Sequence, residues 1–141
     1  MQENICNIKI YRQEANIDNY DELCSWIAQS RAKWNIGKEL AYKMDICVEE
    51  IFTNILHYAY PHQNIGMFEV ELYKTEENII VEFRDEGVEF NPLNRHDPDL
   101  HLPPEKKALG GLGIYLTKKM TDGISYKRDN SKNILTLIFN L

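Results

Sequence analysis

Three short clusters hold the residue types and spacings that could do chemistry in this chain. Glu50, Asn54 and His57 are four and three residues apart, the spacing that stacks side chains on one face of a helix. With Asn54 set at zero, Glu50 falls at about −40° and His57 at about −60°, while Val48, Phe52, Ile55, Leu56 and Ala59 gather roughly 100–200° away. Glu49 sits about 140° from Asn54 and stays apart. Such a face is either solvated or turned toward a ligand. The second cluster is Asp85-Glu86-Gly87, at the end of a strand-like run. A carboxylate there can accept a hydrogen bond from an exocyclic amine, and Gly87 lets the backbone approach a flat ligand. A plain turn favours the same residues. The third cluster, Gly110-Gly111-Leu112-Gly113, opens a helix-like segment. Bare N–H groups and the helix dipole there suit a phosphate, and a hinge or N-cap is the other reading.

The elements that must position these clusters follow from periodicity. Alternation over Ile5–Tyr11 predicts a first strand, and Asp18 or Asn19 can cap a helix carrying Tyr20, Leu23, Cys24, Ile27 and Ala28. Gly37 breaks that helix. A second is expected from Lys38 to Tyr60, stopped by Pro61. Runs at Met67–Tyr73 and Ile79–Phe83, joined by Thr75-Glu76-Glu77-Asn78, predict an antiparallel hairpin. Residues 88–109 contain Pro92, Pro98, Pro103 and Pro104, and so long a connection in a compact domain reads as a lid or as disorder. A helix over Gly111–Met120, a strand over Ile124–Lys127 and a buried strand over Ile134–Phe139 close the chain. The expected fold is α+β: a two-layer sandwich of helices on a mixed, mainly antiparallel sheet.

Composition narrows the function. The 141 residues suit one domain, 1–141, and 43% hydrophobic content supports a core. A net charge of −6 and a pI near 5.2 argue against direct binding to nucleic acid. No apolar run is long enough to span a membrane, and no secretory signal is visible. Cys6, Cys24 and Cys47 are odd in number and lack CxxC spacing, which points to a reducing cytoplasm.

Taken in order, the clusters resemble the GHKL ATPases, the superfamily of gyrase, heat-shock chaperone, histidine kinase and mismatch-repair ATPases. Within it they are most similar to the stand-alone anti-sigma factor serine/threonine kinases. Val48–Tyr60 resembles the N-box, Asp85–Pro92 the first glycine box and Gly110–Ile114 the second. Ser125-Tyr126 and Asn133–Leu137 resemble the closing strands.

The resemblance implies binding of ATP and Mg²⁺. It assigns Asn54 to the metal and Glu50 to the base that prepares the attacking hydroxyl. Mg²⁺ takes few protein oxygens, so one carboxamide suffices. Asp85 would hold the adenine amine over Gly87, and Gly110, Gly111, Leu112 and Gly113 would present donors to phosphate. Thr136 would either lend a hydroxyl to the adenine pocket or pack in the core. His57 would make a helix or lid contact. Arg95, Lys106 and Lys107 would reach the γ-phosphate or remain solvated.

The turn Asn130-Ser131-Lys132-Asn133 lacks the glycine common in relatives. No phosphoacceptor-histidine hairpin precedes the ATPase region, so a self-contained histidine kinase is not expected. The implied function is phosphorylation of a STAS-type anti-sigma-factor antagonist, with a sigma factor as second partner and a homodimer as assembly. The alternative is a nucleotide-gated, non-catalytic partner-switching protein.

Overall fold

The computed structural model describes residues 6–61, 66–94, 101 and 111–141. Five strands form one sheet in the order β1-β2-β3-β5-β4: β1 Cys6–Glu14, β2 Met67–Lys74, β3 Asn78–Asp85, β4 Gly123–Asp129 and β5 Lys132–Asn140. Helices α1 Tyr20–Arg31, α2 Lys38–Asn54 and α3 Gly111–Met120 make up the α layer. The α+β class holds. Every pairing among the described strands is antiparallel, so the sheet is not mixed.

Helix α2 forms where Met44, Cys47, Val48, Ile51, Phe52 and Ile55 recur three and one residues apart, and all six are buried. Each large apolar side chain taken out of water on such a stripe contributes about 1.5–3 kcal/mol. Arg31, at the end of α1, makes a two-pronged ion pair with Asp45 of α2 (2.6 and 3.1 Å). The stripe packs on Phe68, Val70 and Leu72 of β2, Val81 and Phe83 of β3, and Leu135, Leu137 and Phe139 of β5, all within one hydrophobic core. Strand alternation puts these residues on the helix side of the sheet.

Helix α2 is expected to run to Tyr60, but its regular part ends at Asn54. One wide π turn, Ile55–Ala59, carries the chain on toward Pro61. The hairpin from β4 to β5 turns at Asn130 and Ser131, whose φ angles of 48° and 63° are left-handed. Two such residues make the tight primed turn that suits strand twist, without glycine. Among the described residues, no helix is long and apolar enough to cross a membrane.

Candidate functional site

The site begins at the end of β3, where Asp85 is only 8% exposed. Its Oδ1 accepts hydrogen bonds from the Gly87 amide and from Asn133 Nδ2, both at 2.9 Å, and neither falls on Oδ2. Burial pushes the Asp85 carboxyl up; the bonds from Asn133 and Gly87 and the charge of Arg128 oppose that. Asn133 is fully engaged. Its Nδ2 also donates to the Val88 carbonyl (2.7 Å), and its Oδ1 accepts from the Phe90 amide (3.2 Å) and the Tyr126 hydroxyl (2.6 Å). Arg128 donates to the Gly87 carbonyl at 2.8 Å. The loop after β3 is thus held by β4 and β5.

Its other anchor is the π turn. The Val88 amide donates to the Ala59 carbonyl at 2.8 Å. A side chain at Gly87 would overlap that same carbonyl, so glycine is required by the close approach of two backbones. The Tyr60 hydroxyl donates to the Met67 carbonyl and accepts from the Glu86 amide at 2.9 Å. Tyr58 stacks on Phe90 with ring centroids 4.9 Å apart.

Between these supports lies a cleft that encloses about 410 Å³ of empty space, the open solvent at its mouth included. Ile51, Ile55, Phe83 and Leu135 are among its apolar walls, and Asn54, Asp85 and Asn133 are among its polar lining. An apolar slot with a few convergent polar groups is the usual form of a small-molecule site. A buried carboxylate in that lining suits a flat ring bearing an amine.

Glu50 lies one turn before Asn54, outside this lining, and its carboxylate rests against Gly113 at the start of α3. Burial, and then the neighbouring Glu49 charge, raise the Glu50 carboxyl above its ordinary range. No three His, Cys, Asp or Glu side chains gather as a metal cluster among the described residues.

The fold therefore puts Asn54 and Asp85 in one cavity and sets Glu50 beside the glycine-rich helix start. Leu112, in the first turn of α3, is 47% exposed, and His57 is exposed. Gly110 lies outside the described residues, as do Arg95, Lys106, Lys107 and most of the lid expected over 88–109.

Thr136 needs correction. It pairs with Glu82 on the face turned away from the helices, one residue out of step with the cavity-lining Leu135, so it cannot reach the pocket. The inward position is Asn133, which the sequence places where the turn meets the closing strand and which is not among the expected site residues. Strand parity was the available signal, because Asn133 alternates with Leu135, Leu137 and Phe139.

The profile of the histidine kinase-like ATPase domain matches residues 13–139. The chain belongs to this family. It is 24% identical over 107 residues to the serine/threonine-protein kinase BtrW of Bordetella bronchiseptica, a span covering 76% of this chain and 74% of that one. The structure of the RsbU and RsbW domains of Rv1364c from Mycobacterium tuberculosis matches 95% of this chain with a TM-score of 0.68 and 10% identity. This chain covers 32% of that larger protein, and the likeness shows the fold. The family match bears out the recognition of a GHKL-type ATPase domain drawn from the sequence.

Proposed function

We propose that this protein is a cytoplasmic Mg-ATP-dependent serine/threonine kinase and anti-sigma regulatory factor that phosphorylates a STAS-type anti-sigma-factor antagonist. The observation that carries the reading is the placement of Glu50. Its half-buried carboxylate, one turn before Asn54, lies against the glycine-rich start of α3, and in this reading the triphosphate of an adenine nucleotide held by Asp85 passes beside it.

In this reading Asp85 accepts the adenine amine, with Oδ1 already held by Asn133 and Gly87. The first-turn amides and dipole of α3 face the phosphates. Asn54 would offer its carbonyl oxygen to Mg²⁺, an ion for which one protein oxygen can be enough. A bound Mg²⁺ would neutralise phosphate charge during transfer. Glu50 takes the proton from the incoming hydroxyl, and its raised carboxyl is a stronger base than an exposed glutamate. The sigma factor and a homodimer complete the proposed partners.

Incubation with γ-labelled Mg-ATP and a STAS-domain antagonist tests the reading. Phosphoserine or phosphothreonine should form on the antagonist. Glu50→Gln should keep ATP binding and lose transfer by about 10²–10⁴-fold, the usual worth of a positioned base. Tight ATP binding by the wild type without any phosphoamino acid would leave a nucleotide-gated partner switch instead.

A further inference from the structure

We propose that Gly113 is a positioning residue for Glu50: its missing side chain lets the carboxylate lie against the first turn of α3, so the seating of α3 on α2 sets where that carboxylate points. The effect on transfer rests on the reading of Glu50 as the base; the contact itself does not.

A Cβ built on Gly113 would fall on Glu50 Oε2 and crowd its Cδ and Cγ. Any residue but glycine must therefore push the end of Glu50 aside. Rotation of α3 cannot relieve the overlap cheaply, because its neighbouring residues are locked. Ile114 is buried in the core and Thr117 is fully buried. Thr117 Oγ1 donates to the Gly113 carbonyl at 2.9 Å, and its hydroxyl also meets the thiol of Cys47. Cys47 and Glu50 are three residues apart on α2, as are Ile114 and Thr117 on α3. The two helices thus meet through neighbouring contacts on facing turns. The N-terminal turn of α3 also favours an anion through its dipole, which helps keep the carboxylate there.

A glycine needed only to expose backbone donors to phosphate would act differently. Its replacement would weaken ATP binding and leave the base alone. The test compares Gly113→Ala in the full chain with the same change in a Glu50→Ala background, where the space is vacant. Thermal melting, ATP titration and phosphotransfer against pH are measured.

Alanine in a helix is itself more stable than glycine. Gly113→Ala should therefore raise the melting temperature clearly more beside Glu50→Ala than in the wild-type background, where the end of Glu50 must move; such coupling is expected of side chains in contact. Transfer should fall at least about tenfold further than ATP affinity does, a loss of base function over and above any loss of binding. The acid limb of the remaining activity should move toward the ordinary carboxylate range, because the displaced Glu50 becomes solvated.

An equal change of melting temperature in both backgrounds, or weakened ATP binding with unchanged turnover, would overturn the proposal. If Gly113→Ala fails to fold alone, folding of the double variant supports the contact and failure of both refutes it. Full transfer by Glu50→Gln would remove the base reading, while the melting comparison would still decide the contact.

Discussion

Asp85 and Asn133 form the hinge-pin of the candidate site. One carboxamide satisfies Asp85, two amide or carbonyl groups of the following loop and a tyrosine hydroxyl. Asn133→Ala strands those partners in a buried place, so we expect a loss of about 1–3 kcal/mol in urea unfolding. A loss within error would show that the loop is held by other bonds. Glu50 makes a separate prediction through pH. Burial raises its carboxyl, so the base is protonated and idle below a value higher than that of an ordinary glutamate. Transfer should therefore rise with pH through that elevated value, and Glu50→Gln should abolish this limb. A limb at the ordinary glutamate value would place the carboxylate in solvent.

Among the elements, the π turn after Asn54 is the unusual one. It brings the Ala59 carbonyl to the Val88 amide and leaves no room for a side chain at Gly87. Gly87→Ala should cost about 1–3 kcal/mol, as overpacking does, and an unchanged urea midpoint would contradict that. Periodicity revealed α2 and placed Asn54 opposite its apolar stripe, because Met44 to Ile55 obey a 3.6-residue repeat. It could not reveal the π turn, since one extra residue in a turn leaves composition unchanged and only shifts the phase. The fate of Thr136 has a similar cause. Ile134 to Phe139 is apolar at every position but one, so the alternation that sets the two faces of β5 is faint, and Thr136 alone marks the outer one. The turn expected over Asn130–Asn133 is shorter, since β5 begins at Lys132. Left-handed Asn130 and Ser131 close it in two residues and return Asn133 to the strand.

At the scale of the molecule, among the described residues the helices cover one face of the sheet and leave the other open. On that open face Arg84 of β3 reaches Glu69 (3.3 Å), Glu71 (2.8 Å) and Glu82 (2.7 Å), while Ile8 and Ile10 of β1 are 51% and 59% exposed. Exposed aliphatic side chains beside a charged network are what a second copy of the chain would cover in the proposed homodimer. Ile10→Glu should then convert a dimer to a monomer in light scattering without changing the melting of the monomer. An unaltered mass would locate the interface elsewhere. The central claim is that Asn54 and Asp85 frame one adenine-nucleotide cavity, and calorimetric titration with Mg-ATP and Mg-GTP tests it most directly. The account predicts one Mg-ATP per chain, preferred over Mg-GTP, with affinity falling by about tenfold or more in Asp85→Asn as a charged hydrogen bond to the amine is lost. No heat of binding, or equal affinity of the wild type for the two nucleotides, would contradict it.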